Sequence, residues 1–306
     1  IREVVISEPN NARLRYGRGS VHWLPDLPSA SALAAELVAR GGDDIHVVPA
    51  AGTYFYNFNC QPTRPDGSPN PLANPDVRRA LSMAINRDTL VREVTRVGNP
   101  PAATFIPPGS IRNYTPPTDA GVSFNPTAAA QLLASAGYAD GEGLGELTIL
   151  FNTDNSHEKI AQFIAASWKD HLGVRVTLQA QPSKAFGQRL DEHDFTIARA
   201  GWFGDYRDPT TFLDKFISDS PNNDAAWSNP AFDKLMKEAE AETDPQARLQ
   251  RLERAEALML AAQPIAPLFH YVNLELFRPD EVAGIRPNPW NVRRLDQVRL
   301  KKTDAP

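Results

Sequence analysis

The sequence predicts an α/β fold built on a partly parallel sheet, and three observations carry that prediction. Strand-like and helix-like segments alternate through the middle of the chain. Hydrophobic residues make up 42% and charged residues 23% of the 306 positions, which supplies a sizeable core and excludes a disordered chain. The 27 prolines point to many turns and ordered loops, which a helical bundle would not carry. The length alone allows about two domains.

The elements follow in order. Residues 1–6 read as a strand and 10–18 as a short helix. A stronger helix spans 30–40, with Leu33, Leu37 and Val38 on one side and Gly41-Gly42 as its stop. Residues 45–48 and 53–59 are strand-like; in the second, Tyr54, Tyr56 and Phe58 alternate with Phe55, Asn57 and Asn59. The Pro/Gly/Asn-rich stretch 60–70 is a loop. Asn74-Pro75-Asp76 then starts a helix, since Asn caps, Pro fits the first turn and Asp suits the positive end of the dipole. Its buried stripe is Val77, Leu81, Ala84 and Ile85, and a second helix continues through Val97. The same start recurs at Asn125-Pro126 and Asn229-Pro230, as one capping solution used three times rather than a repeat. Strands at 146–151, 174–180 and 195–200 alternate with helices at 156–171 and 184–190. A long helix at 245–262 leads to an apolar strand at 267–276, and the tail from 287 is extended, with a last strand at 297–301.

Several function classes drop out. A net charge of −5 and a pI near 5.7 do not suit a nucleic-acid binder, which carries a basic face. No apolar run reaches the length of a membrane span. Residues 1–17 lack the charged and apolar regions of a signal peptide, which leaves the compartment open. Cys60 is the only cysteine, so neither an internal disulfide nor a thiolate-rich metal site forms. Glycine-rich phosphate loops, zinc-hydrolase histidine pairs and nucleophile elbows are all missing, so no cofactor, metal or catalytic residue is expected. The acidic cluster around His193, with Asp191, Glu192 and Asp194, reads as a solvated turn.

The informative stretch is FTIARAGWFGDYRDPTTF at 195–212. A buried strand ends in Gly201-Trp202-Phe203, and a carboxylate, Asp205, follows at once. Gly201 lets another backbone approach, Trp202 and Phe203 offer apolar walls, and Asp205 is an anion at the carboxyl end of a strand, where α/β sheets hold ligands. Such a place suits an extended chain with a cationic terminus. Alone, the same Asp also reads as a turn or cap residue.

At this stretch the sequence resembles the oligopeptide- and dipeptide-binding proteins of ABC importers, the family 5 extracellular solute-binding proteins. TYFYNFN at 53–59 resembles the strand that crosses between lobes in that family, and NPDVRRALSMAINRD at 74–88 resembles its most recognisable helix. IPPG at 106–109, AAWSNPAFD at 225–233 and QPIAPLFHY at 263–271 follow in family order, so the similarity runs from Val5 to Lys301. The resemblance implies a periplasmic-binding-protein-like fold of two lobes hinged like a clam, of which this chain matches only the later part. Residues 1–53 are then a remnant of the hinge-side lobe, 54–286 the complete second lobe, and 287–306 the return to the first.

The resemblance also assigns residues. Asp205 matches the carboxylate that holds a peptide's α-ammonium group, and Gly201 and Phe203 match positions whose backbone pairs with the peptide like an added strand. Asn222 matches a ligand-side asparagine, and Trp202 a pocket wall. His157, Arg189 and Arg199 match basic positions that meet the peptide's C-terminal carboxylate. Arg199 lies inside an apolar strand, where an unpaired guanidinium is costly, so it needs an anionic partner from the ligand or from a structural Asp or Glu. The implied partners are a short peptide, a membrane permease and an N-terminal segment of the same protein, in a periplasmic or otherwise extracytoplasmic location. Three alternatives stand beside this reading. The scaffold also serves metal chelates, haem, oligosaccharides or opines, although Asp205 favours a free amino terminus; a truncated chain would be a scaffold without affinity of its own; and a peptidase would need a catalytic set that is absent.

Overall fold

The computed structural model describes residues 1–29, 31–64, 66–153 and 156–301. Ala30 of the expected second helix, Pro65 of the expected loop and 302–306 of the tail lie outside them. In chain order the elements are α1 (Pro9–Gly17), β1 (Trp23–Leu24), α2 (Ala32–Arg40), β2 (Ile45–Phe58), α3 (Pro75–Met83) and α4 (Arg87–Thr89), which Leu90–Thr95 continues as a π-helical turn. There follow α5 (Pro126–Ser135), β3 (Leu147–Asn152), α6 (His157–Leu172), β4 (Val176–Gln181), α7 (Ser183–Asp191), β5 (Ile197–Phe203) and α8 (Thr210–Leu213). The last are α9 (Pro230–Ala241), α10 (Pro245–Ala262), β6 (Ile265–Phe277), β7 (Val282–Ala283) and β8 (Arg299–Leu300).

Two long antiparallel strands, β2 and β6, form the spine of a six-stranded sheet ordered β1-β6-β2-β5-β3-β4. β5 runs antiparallel to β2 but parallel to β3, and β3 is parallel to β4, so the sheet is mixed. The two strands expected at 45–48 and 53–59 are one. The chain stays extended through Pro49-Ala50-Ala51-Gly52, and the pairing with β6 slips between Pro49 and Thr53. A bulge there absorbs a proline that has no N–H to give the ladder.

Alternation along β2 sends side chains to two cores. Tyr54, Tyr56 and Phe58 face α3, α5 and α6, where Val77, Leu133, Ile160 and Trp168 meet them. Phe55 faces the other way, into a core with Phe105, Phe212, Phe216 and the inward stripes of α9 and α10. The outer ends of the spine join a third core, in which Leu33, Ala34 and Leu37 of α2 pack on Val272, Leu274 and Leu276. β6 therefore enters this N-terminal core at Val272.

The three repeated caps form as the sequence predicts. Asn74 accepts from the Asp76 N–H, Asn125 from Ala128, and Asn229 from Ala231 and Phe232. Two arginines of the 74–88 run are buried, yet neither meets a carboxylate among the described residues. Arg78 donates to the carbonyls of Leu72, Ala73, Ala262 and Gln263, and Arg87 to those of Pro267, Ser82 and Ile85. They close orphan carbonyls at the ends of α10 and α3. Elsewhere the expectations shift: residues 1–6 have no strand partner, and β1 and β7 were not anticipated because two-residue pairings leave no periodic signal. Among the described residues no helix is long and apolar enough to cross a membrane.

Candidate functional site

The candidate site grows from the register of β5. Gly204 N–H donates to Ala51 O, and Asn59 N–H to Thr196 O, at the two ends of the β2–β5 ladder. Antiparallel pairing alternates, so Ala198, Ala200 and Trp202 turn their backbone groups to β2, while Gly201 and Phe203 turn theirs outward. The neighbour on that outer side, β3, pairs only as far as Ala198. Among the described residues no strand lies beside the outward groups of Gly201 and Phe203, which leaves an open edge. β5 ends at Phe203, with the Gly-Trp-Phe run in the sheet as the reading of 195–212 has it, three residues past the 200 given for the strand.

The side chains on that face build a wall. Arg199, Gly201 and Phe203 lie opposite Tyr56, Tyr54 and Gly52. A Cβ on Gly201 would stand 2.5 Å from the Tyr271 hydroxyl, so only glycine fits there without displacing the ring. Phe203 is 53% exposed and stacks on Tyr271 at 4.5 Å. Tyr54 stacks on Phe269 at 4.7 Å, and its hydroxyl lies 3.1 Å from His157 Nδ1. Burial pushes the Tyr54 phenol well above its ordinary range, so it stays neutral.

Arg199, Tyr54, His157, Phe269 and Tyr271 of this wall line a cavity of about 580 Å³ between α2 and the start of α6, together with Glu36, Arg96 and Lys159, among others. His157 is the first residue of α6, a helix of 16 residues, and so sits at the positive end of its dipole. The Arg199 guanidinium lies 5.4 Å from the Tyr54 ring centre. No carboxylate among the described residues pairs with it, and its Nε is buried without a hydrogen-bond partner. The structural Asp or Glu that the sequence allowed for Arg199 is thus not found among the described residues.

Asp205 follows the open edge on the turn after β5. Its N–H donates to Thr211 Oγ1 at 2.9 Å, while its carboxylate is exposed. Trp202 points to the opposite face of the sheet, where its indole donates to Thr211 O and Lys215 Nζ lies 5.2 Å from its ring. Asn222 belongs to that side as well: its carbonyl accepts from Lys215, which also pairs with Asp224 at 2.7 Å. Arg189 does not line the cavity. Its Nε donates to Asp194 and its Nη1 to Gln179, which ties α7 to β4. The structure thus brings together Arg199, His157, Gly201 and Phe203, with Asp205 at their end, and leaves Trp202, Asn222 and Arg189 elsewhere. His193 sits in a left-handed turn with Nδ1 2.9 Å from Asp224 O. Among the described residues no cluster of side chains fits a metal ion.

Sequence reasoning missed Tyr54, Phe269 and Tyr271 as walls, and Arg96 and Lys159 as rim cations. The aromatic alternation at 53–59 put Tyr54 on one face, but only cross-strand register shows which face meets the cavity.

The sequence model of the bacterial extracellular solute-binding proteins, family 5 Middle, matches residues 1–224. The oligopeptide-binding protein OppA of Bacillus subtilis is 31% identical over 280 residues, which cover 88% of this chain and 49% of OppA. Among solved structures, the unliganded open form of the periplasmic murein tripeptide binding protein MppA matches with a TM-score of 0.84 at 32% identity, over 96% of this chain and 56% of that one. Haemophilus influenzae OppA in complex with RPPGFSPFR matches with a TM-score of 0.74 at 29% identity, over 98% and 58%. The chain spans about half the length of the curated relatives it matches.

Proposed function

The chain belongs to the family 5 bacterial extracellular solute-binding proteins, and from that membership we propose that it forms the peptide-gripping part of an ABC importer's receptor. It is a binder, not an enzyme. It captures short peptides outside the cytoplasm and passes them to a membrane permease. The peptide lies as an added strand along the outward N–H and C=O groups of Gly201 and Phe203. Asp205 takes its α-ammonium group, and Arg199 with His157 takes its carboxylate. Extended strands rise about 3.3 Å per residue, so the edge from Arg199 to Phe203 is roughly 13 Å long, with Asp205 on the turn beyond it. That suits a peptide of a few residues, held by its backbone and termini and not by its side chains.

The observation that carries this reading is the half-buried Arg199, with its Nε buried and unpaired and no carboxylate partner among the described residues, on the wall of a cavity beside an unpaired strand edge. Neutral Tyr54 is a partner for the guanidinium but does not balance its charge, so an anion arriving there is favoured. The lobes are proposed as 1–53 and 54–286, with the bulge at Pro49–Thr53 as one crossing; the packing of Val272 supports moving the second crossing from 287 to about Tyr271.

The test is amide hydrogen exchange, resolved by residue, with and without millimolar tri-alanine. The Gly201 and Phe203 amides should slow when peptide is added, while those of Ala200 and Trp202, already facing β2, should not change. Equal rates at Gly201 and Phe203 with and without peptide would remove the added strand.

A further inference from the structure

We propose that the cavity selects peptides that carry a second carboxylate at or near their C-terminal end, and that Arg96 and Lys159 read it. The inference rests on the peptide-binding reading above and deepens it.

It starts from a charge mismatch. A peptide's own terminus brings one carboxylate, which Arg199 and the first turn of α6 already answer. The same cavity is also lined by Arg96 and Lys159, against a single lining acid among the described residues, Glu36. Glu36 is itself 3.6 Å from Arg13. Neither Arg96 nor Lys159 forms an ion pair among the described residues. A neutral tripeptide leaves both answered only by solvent. An acidic side chain near the peptide's carboxyl end supplies the missing charge, with no loss at the open β5 edge.

The backbone at Arg96 adds a second observation. Arg96 ends the helical segment that begins at Arg87, in the left-handed conformation at φ 60°, with its N–H bonded to Val91 O. Glycine or asparagine suits that position, and a long side chain there is disfavoured. The chain nevertheless carries an arginine at this stop, on the cavity rim. Lys159 comes from another element, the first turn of α6, so two separate segments each bring a cation to the lining. Arg96 can form two parallel bonds to a carboxylate and Lys159 acts as a point charge.

The experiment is calorimetric titration of the chain with three peptides of one length: Ala-Ala-Ala, Ala-Ala-Glu and Ala-Ala-Lys. Ala-Ala-Glu should bind at least tenfold more tightly than Ala-Ala-Ala, and Ala-Ala-Lys more weakly than either. The Glu-to-Ala affinity ratio should fall as sodium chloride is raised, because the second carboxylate meets exposed cations. In Arg96→Asn, which keeps a residue suited to the left-handed backbone, and in Lys159→Gln, that ratio should collapse towards one. Arg96→Lys should restore part of it. Equal affinities for all three peptides would overturn the selectivity and leave the peptide-binding reading standing, as would a ratio that survives both substitutions. A chain that binds none of the three, with no exchange protection at Gly201, would overturn both.

Discussion

Arg199 and Asp205 are neighbours on one strand and its turn, yet they obey different physics. Arg199 carries a buried Nε without a hydrogen-bond partner, which on the proposed reading a ligand carboxylate would answer. Replacing it by a packed apolar side chain of similar length should therefore help the fold. We expect Arg199→Met to stabilise the free chain by about 1 kcal/mol in urea unfolding and to weaken tri-alanine binding tenfold or more. A destabilised variant would mean that the guanidinium has a structural partner. Asp205 is exposed and only its backbone N–H is engaged, by Thr211. Asp205→Ala should leave the urea midpoint unchanged and weaken peptides with a free amino terminus about a hundredfold, since breaking a desolvated charge pair costs on the order of 3 kcal/mol. N-acetylated peptides, which lack the ammonium group, should bind wild type and variant alike; a loss for both peptide types would take Asp205 out of that role.

At the scale of elements, the β5 edge and the wall behind it depend on one small residue. A Cβ at Gly201 meets the Tyr271 hydroxyl at 2.5 Å, and Tyr271 in turn supports Phe203. Gly201→Ala should cost about 1–3 kcal/mol by overpacking, with lost peptide protection at the Phe203 amide. An alanine variant as stable as wild type, measured by thermal unfolding, would show that Tyr271 moves aside freely. How much of this was legible in the sequence follows from where each signal lives. The Asn caps at 74, 125 and 229 were readable because a cap is a local contract between a side chain and the next turn. So was the strand that carries Arg199, because its run is apolar. The open edge was not readable, since it arises where the pairing of β3 with β5 ends at Ala198 while β5 continues, a difference between two strands far apart in sequence. The single strand across Pro49 was missed for the same reason: a proline argues against a strand until its partner supplies a bulge. Arg189 shows the opposite limit, because its motif position said ligand while Asp194 and Gln179 hold it in the scaffold.

For the molecule as a whole, two buried titratable groups sit on one chain of contacts and oppose each other. Glu256 accepts from the N–H groups of Phe105 and Ile106 and from the Tyr114 hydroxyl, and burial pushes its carboxyl up to about 7. Phe105 O accepts from Thr53 Oγ1, which lies 2.8 Å from His270 Nδ1, and burial pushes that imidazole down to about 4. The single Thr53 hydroxyl proton goes to Phe105, so Nδ1 carries the proton that His270 shares with Thr53. Glu256 favours the fold most below its unfolded value of 4.5 and loses that contribution as the pH rises through about 7. His270 favours it most above 6.5 and loses its contribution as the pH falls through about 4. Each effect is worth about 3 kcal/mol, at 1.36 kcal/mol per pKa unit, so between pH 4.5 and 6.5 they nearly cancel. Urea titrations should show that Glu256→Gln loses stability on acidification, while His270→Gln loses it on going towards neutral pH. Parallel curves for wild type and both variants would show that neither group titrates in the folded chain. The spine has a consequence of its own. Ile45 pairs with Leu276, so the sheet's central ladder joins the first part of the chain to the last. Such distant pairing is slow to form, because the intervening loop must close before any contact rewards it. A nascent chain that has emerged only as far as α10 still lacks β6, and with it Phe269 and Tyr271 of the cavity wall. The cavity wall is therefore completed only once β6 has been made.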